Sequence, residues 1–336
     1  MKKILILGAT GAMATYLIPT LLEQGMEITG VSLDSVESHH ENLTYVQANA
    51  MDIDFLRQTL AREYDAVFDF MVYNTKELFC EYYPLFLENT KHYIFFSTYR
   101  VYAGNYPITE KSPRIYDVER PSDFVTEKEY SIYKAEEEDI LRASGYRNFT
   151  IVRPAITYSQ CRFQLTTLEA NVLIYRMLRG ETVILPEGAM DCHATMTWAG
   201  DVAKMLSAIL FNLQAYGETY TVSTAEHHTW REIAEMYTRI GGLKYITVPN
   251  EEYLKIFGGS IYSKQQLEYD RCFNRVVDNT KILSLMGITQ ADLMPLEEGL
   301  RLEFCALNEE RLARIGSNRY ANECIDHYLQ SIDQSL

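Results

Sequence analysis

Tyr130 and Lys134 stand four residues apart in the segment Glu129-Tyr130-Ser131-Ile132-Tyr133-Lys134-Ala135-Glu136. On a helix that spacing puts both side chains on one face. A phenol ordinarily loses its proton near pH ~10. An ammonium group held beside it favours the phenolate and brings that ionisation toward neutrality. A tyrosine so tuned exchanges a proton with a substrate hydroxyl. The chain has 25 tyrosines, so chance alone supplies the spacing. The pair gains meaning only if the chain ahead of it builds a dinucleotide site.

The first residues carry that signal. Lys2-Lys3-Ile4-Leu5-Ile6-Leu7 is a short apolar run, followed by Gly8-Ala9-Thr10-Gly11-Ala12-Met13-Ala14 and an apolar pattern through Leu17, Ile18, Leu21 and Leu22. The order predicts a buried parallel strand, a glycine-rich turn and a helix. Gly8 permits the tight turn, and Gly11 lets the backbone approach a pyrophosphate at the helix N-terminus. Thr10, Ala12 and Met13 complete the turn that would cradle it, and the third small residue is Ala14. The next apolar run, Glu27 to Leu33, ends at Asp34, where an acidic residue holds the adenosine ribose hydroxyls. No Lys or Arg occurs from Gly30 to Gln47, so nothing local greets a 2′-phosphate. The cofactor expected is NAD rather than NADP.

Bulk properties narrow the classes. A chain of 336 residues suits one large domain or two intimate ones, and 47% hydrophobic residues support a substantial core. A net charge of -15 argues against binding a nucleic-acid backbone, which needs a basic face. The six cysteines, Cys80, Cys161, Cys192, Cys272, Cys305 and Cys324, are scattered and read as reduced thiols of a cytoplasmic protein. The pairs His39-His40 and His227-His228 read as solvated loop residues, and no ligand spacing supports a metal. The N-terminal apolar run is too short for a signal peptide, and no stretch reaches the ~18 apolar residues of a membrane span.

Strand and helix signals alternate through the first half. Strands are expected at Leu43–Ala48, Tyr64–Val72, His92–Ser97 and Phe149–Arg153, with helices at about 53–62 and 75–88 and a third carrying Tyr130 and Lys134. A polar loop is expected over about 104–126. Such alternation gives an α/β fold, a Rossmann-type doubly wound parallel sheet. Ligands in these sheets bind beyond the carboxyl ends of the strands, where Gly8, Asp34, Phe70 and Ser97 all fall. The pattern changes after Pro154. A helix at about 200–212 and a strand at 218–223 read as a return to the sheet, and 303–332 as a helix with an apolar stripe. The expected division is an NAD-binding domain of 1–155 plus about 195–224, and a smaller substrate lobe of about 156–194 plus 225–336.

At this point the residues match a family. The chain resembles the extended short-chain dehydrogenase/reductases, the NAD-dependent epimerase/dehydratase group. The resemblance rests on pieces in order: Gly8-x-x-Gly11-x-x-Ala14, Asp34, Asp65-x-Val67, Ser97-Thr98-Tyr99-Arg100-Val101-Tyr102, Pro107-Ile108-Thr109-Glu110, Tyr130-x-x-x-Lys134 with Glu138, Val152-Arg153-Pro154, Gly200-Asp201-Val202-Ala203, Asp278-x-x-Lys281 and Glu298-Gly299-Leu300. It implies that Thr98, Tyr130 and Lys134 are catalytic, Thr98 donating to the substrate oxygen and Lys134 also holding the nicotinamide ribose. It places Asn49 and Ala50 at the adenine, and Phe70, Met71, Asn74, Ser97 and Pro154 along the cofactor. It places Thr98, Tyr99, Tyr158, His193 and Arg275 on the substrate side. It further implies a homodimer through helices near 78–88 and 132–141.

Two departures bear on the substrate. The sugar dehydratases of this group follow the catalytic threonine with an Asp-Glu pair, and here Tyr99-Arg100 follows, which counts against a 4,6-dehydratase. The nucleotide-sugar enzymes carry an arginine before the second Asp motif that clamps a diphosphate, and Asp191-Cys192-His193-Ala194-Thr195-Met196-Thr197-Trp198 has none. Arg162, Arg271 or Arg275 could serve instead from the second lobe. The reading is an NAD-dependent oxidoreductase acting on a sugar or nucleotide-sugar hydroxyl, epimerase-like, by coupled proton and hydride transfer. Two alternatives stay open: an NAD(H)-dependent reductase of a smaller carbonyl compound, and a non-catalytic nucleotide-sensing protein on the same fold.

Overall fold

A computed structural model describes residues 1–104, 107–118 and 129–334. Seven strands form one parallel sheet: β1 (Lys3–Leu7), β2 (Glu27–Ser32), β3 (Leu43–Gln47), β4 (Ala66–Asp69), β5 (His92–Phe96), β6 (Phe149–Pro154) and β7 (Thr219–Val222). Their order is β7-β6-β5-β4-β1-β2-β3. All strands run parallel, and the order of successive strands changes direction between β1 and β4, where Leu7 pairs with Asp69 at the edge of that switch point. A crevice opens there beyond the strand ends, which is where doubly wound sheets bind ligands.

The central strands are almost wholly apolar because both faces are covered. On one face α1 (Ala14–Glu23) and α6 (Ala199–Ile209) bury Leu17, Leu21, Val202 and Leu206 against Ile4, Phe68, Ile94 and Val152. On the other, α2 (Ile53–Leu60) and α3 (Lys76–Asn89) bury Leu56, Phe79 and Phe86 against Leu5, Val67, Tyr93 and Phe95. Asp52 caps α2 by accepting from the Asp54 and Phe55 amides, and Thr75 caps α3 through the Leu78 amide. A third core joins α5 (Ala170–Arg179), α7 (Trp230–Gly241) and the strand Thr182–Pro186, which pairs in parallel with Lys244–Val248. α4 (Tyr130–Ala143) packs beside α3.

The doubly wound parallel sheet agrees with the sequence reading, and two local expectations need correction. The fourth strand stops at Asp69 rather than Val72. Asp69 accepts from the Tyr73 and Tyr93 hydroxyls at 2.9 and 2.7 Å and from the Met71 amide at 3.1 Å, which turns Phe70-Met71-Val72 out of the sheet. The segment 303–332 is not one helix. It comprises the end of α8 (Leu296–Cys305), then α9 (Glu309–Ile315) and α10 (Arg319–Asp333). Asn308 and Asn318 cap the new starts, and Gly316 takes a left-handed φ of +64° between them. The polar loop expected over about 104–126 lies partly outside the described residues.

Phe79, Tyr82 and Phe86 are buried in the core under the sheet, with Leu78, Tyr83 and Leu85 packed at its margin.

Candidate active site

The glycine turn is shaped for a close ligand. Gly8 has φ +85°, and a Cβ added there would stand 2.9 Å from Met71 Cε and 3.2 Å from Phe70 Cβ. A Cβ at Gly11 would meet the Gly8 carbonyl at 3.2 Å. Met13 gives α1 no side-chain cap, so the positive end of a ten-residue helix faces the crevice. The Thr10 hydroxyl bonds Ser32 Oγ at 2.8 Å, and Asp34, exposed just past β2, donates its amide to the same Ser32 oxygen at 3.1 Å. These features fit a dinucleotide: a diphosphate at the amides of Gly11 to Met13 and a ribose near Asp34. Asn49 is exposed with its Oδ1 bonded to the Met51 amide at 2.9 Å, and Ala50 is buried beside it.

Beyond the turn a cavity of about 310 Å³ opens at the ends of β4, β5 and β6. Met13, Phe70, Met71, Phe96, Ser97 and Pro154 line one part, and the Phe70 and Phe96 ring centroids lie 4.0 Å apart. Thr98, Tyr99, Tyr130 and Lys134 share the same cavity. Three elements bring them together: β5 ends just before Thr98, α4 begins at Tyr130, and one helical turn separates Tyr130 from Lys134. Thr98 is buried, and its Oγ1 accepts from the Arg100 amide at 3.2 Å, which leaves its proton free to donate.

Lys134 is 1% exposed, and its Nζ lies 2.9 Å from Glu137 Oε2 and 3.4 Å from the Met71 carbonyl. Burial alone would lower its pKa, but Glu137, Tyr130 and Asp69 more than offset this and raise it. The lysine therefore stays charged. Burial raises the Glu137 carboxyl to about 7 despite the opposing pull of Lys134. Its Oε1 is buried with no partner among the described residues. Glu137 was missed by sequence reasoning, because one acid among Glu136, Glu137, Glu138 and Asp139 carries no individual signal. Its spacing of three residues from Lys134 was the available clue.

Ser97 lines the cavity, yet its hydroxyl donates to Glu138 Oε1 at 2.6 Å, the same oxygen that accepts from Arg153 Nε at 2.7 Å. That buried set fixes α4 against β6. Four other sequence candidates lie outside the cavity lining. Asn74 is exposed past β4. Tyr158 is buried beneath α8, where a Cβ on Gly299 would overlap its hydroxyl. His193 bonds Asn274 at 3.1 Å and sits edge-on to His227, and Arg275 is fully engaged by Asp270, Tyr102 and Tyr269. In their place Arg100, Arg162 and Arg271 reach the cavity, two of the three being arginines flagged as reaching in from the second lobe.

The C-terminal elements close over the turn. Arg314 of α9 donates to the Thr10 carbonyl, and Glu303 of α8 accepts from Tyr16 on α1 and from Trp198 Nε1 at 2.7 Å. No group of three or more potential metal ligands occurs among the described residues. No helix among them is long and apolar enough to cross a membrane.

Comparison with known proteins accords with this geometry. Residues 8–171 match the model of an NAD(P)H-binding family. The chloroplast stem-loop binding protein of 41 kDa b from Arabidopsis thaliana is 23% identical over 258 residues, 72% of this chain. The match spans 64% of that protein's length, less than two thirds of it. The dTDP-glucose 4,6-dehydratase of Bacillus anthracis in complex with NAD superposes with a TM-score of 0.71 at 16% identity, covering 94% of this chain and 100% of that one. The UDP-glucose 4-epimerase of Thermus thermophilus in complex with NAD gives 0.64 at 17%, covering 91% and 100%. Residues 8–171 thus match an NAD(P)H-binding family, and the chain shares its overall fold with the solved NAD complexes of that dehydratase and that epimerase.

Proposed function

We propose that this chain is an NAD-dependent oxidoreductase that acts on a hydroxyl of a sugar or sugar derivative. One observation carries the reading: Thr98, Tyr130 and Lys134 open into a single cavity that continues to Met13 at the glycine turn. NAD, when bound, supplies the hydride acceptor. Thr98 Oγ1 donates a hydrogen bond to the reacting substrate oxygen and holds it near Tyr130. Tyr130, as general base, would take the proton from that oxygen. For epimerisation, bound NAD would serve as a temporary hydride store, and Tyr130 would give the proton back to the same oxygen. Lys134, kept charged, would support Tyr130 as the base and would hold the nicotinamide ribose. Asp34 beside the ribose, with no basic residue from Gly30 to Gln47, supports NAD over NADP.

Arg100 stands where an elimination would need a carboxylate, which supports epimerisation or simple oxidation over dehydration. The stem-loop binding named for the plant relative is not carried over, because a net charge of -15 opposes a phosphate backbone. The division into an NAD-binding domain and a substrate lobe, the homodimer and the cytoplasmic setting belong to the same proposal.

The test is mass spectrometry of the purified protein for retained NAD, followed by turnover of a sugar and nucleotide-sugar panel. An epimerase turns over with no net change in NADH absorbance, and a dehydrogenase with a stoichiometric one. Failure to bind NAD or NADH in any preparation would overturn the proposal.

A further inference from the structure

Guanidinium groups at the substrate end of the cavity outnumber the carboxylates that hold them. A π-helical turn, Leu267–Arg271, brings Asp270 and Arg271 under Tyr99 and Arg100. Turns of this kind are rare and recur at functional sites. Asp270 pairs with Arg271, accepts from Arg275 Nε at 3.0 Å, and lies 3.7 Å from Arg100 Nε. Glu129 pairs with the other end of Arg100. Three guanidinium groups therefore share two carboxylates, and both carboxylates are buried.

Arg275 is satisfied elsewhere, donating to the Tyr102 and Tyr269 carbonyls at 2.7 and 3.1 Å. Arg271 and Arg100 face the cavity. Arg271 is 3% exposed, donates to the Thr166 carbonyl at 2.7 Å and rests 5.6 Å from the Trp230 ring centroid. Arg100 Nε is buried with no hydrogen-bond partner among the described residues. Arg162, partly exposed, lines the same cavity. The remaining acid on this wall, Glu169, is exposed and accepts from Gln164. Burial lowers the Arg271 and Arg275 pKa values, and the nearby Arg100 charge adds a smaller lowering. A buried charge without its counterion is costly, and a bidentate anion is the group that best relieves two guanidinium forks.

We infer that the substrate is an anion, carrying a carboxylate or phosphate that binds among Arg100, Arg162 and Arg271 while its reacting carbinol meets Thr98 and Tyr130. This rests on the oxidoreductase reading of the same cavity. About 310 Å³ must also admit the nicotinamide end of the cofactor, so the reacting part is compact, of the size of a sugar acid or sugar phosphate.

The experiment is isothermal titration of the full chain saturated with NAD, using D-glucuronate, D-glucose 6-phosphate and inorganic phosphate, with neutral D-glucose as reference. At least one anion binds ten-fold or more tightly than glucose, and the carboxylate and phosphate arms separate the two sources of charge. Arg162→Gln, at a partly exposed position, lowers that anion's affinity at least ten-fold with Tm unchanged. Arg271→Lys, which keeps the charge and removes the fork, lowers it less. Anions binding no tighter than glucose, or an affinity unmoved by Arg162→Gln, overturn the inference. So does a loss confined to NAD affinity, which would assign Arg162 to the cofactor. Absence of NAD binding in the wild-type chain strikes the oxidoreductase reading instead.

Discussion

At the residue scale the chemistry depends on charge held where water is scarce. Lys134 keeps its proton because Glu137 is 2.9 Å away, while burial raises the Glu137 carboxyl to about 7 against the pull of Lys134. Two predictions follow from the pair. Tyr130→Phe abolishes turnover, by three orders of magnitude or more on the general scale of acid-base catalysis with its positioning, while NAD affinity measured by fluorescence titration changes less than about three-fold. Survival of activity in that variant refutes the proton-transfer role. As pH falls through about 7, Glu137 gains a proton and Lys134 loses its anionic partner. The pH profile of NAD affinity therefore bends near pH 7 in the wild type, and Glu137→Gln flattens that bend. Thr98, Tyr130 and Lys134 were legible because their spacing and order carry a signal. Glu137 carried no individual signal among neighbouring acids, and Arg271 was named only as one of three candidate arginines, since its pairing with Asp270 and the approach of Arg100 depend on the fold.

At the element scale, strand ends and a turn do the positioning. Gly8→Ala would force a side chain into a left-handed φ of +85° and against Met71. That conformation costs about 1–2 kcal/mol for an L-residue before any clash is counted. The variant should lose at least ten-fold in NAD affinity and melt at a lower temperature, both measurable in one thermal-shift titration. His92 on β5 offers a second test. Its Nδ1 accepts from the Phe211 amide at 3.0 Å and its Nε2 lies 2.9 Å from Thr150 Oγ1. Burial depresses its pKa to about 3, so the folded state refuses a proton that the unfolded chain accepts near pH ~6.5. Stability is thus lost as pH falls from ~6.5 toward 3, by about 2 kcal/mol at pH 5. Nitrogen NMR should show a neutral imidazole at pH 5, and His92→Asn should flatten the acid limb of denaturant unfolding.

The seven parallel strands were readable from apolar runs and their alternation with helices, because both faces of such a sheet are covered. The early end of β4 was not readable, because it is set by Tyr73 and Tyr93 converging on Asp69 from different elements. The breaks at Asn308 and Gly316 were marked by cap and breaker residues that a continuous apolar stripe obscured.

At the scale of the whole molecule, the sheet supplies the cofactor turn and the later elements supply the arginines. The two halves meet in a cavity that neither completes alone. The contacts of Arg314 with Thr10 and of Glu303 with Tyr16 bridge the same divide from the chain's far end. Their consequence is kinetic. Hydrogen bonds from α8 and α9 tie the turn and α1 to the C-terminal elements, so a dinucleotide held at the turn would leave faster once those bonds are removed. Arg314→Ala combined with Glu303→Gln should shorten the residence time of NAD, followed by stopped-flow displacement, more than it weakens equilibrium binding. A cofactor that stays through many turnovers suits a catalyst that lends a hydride and takes it back.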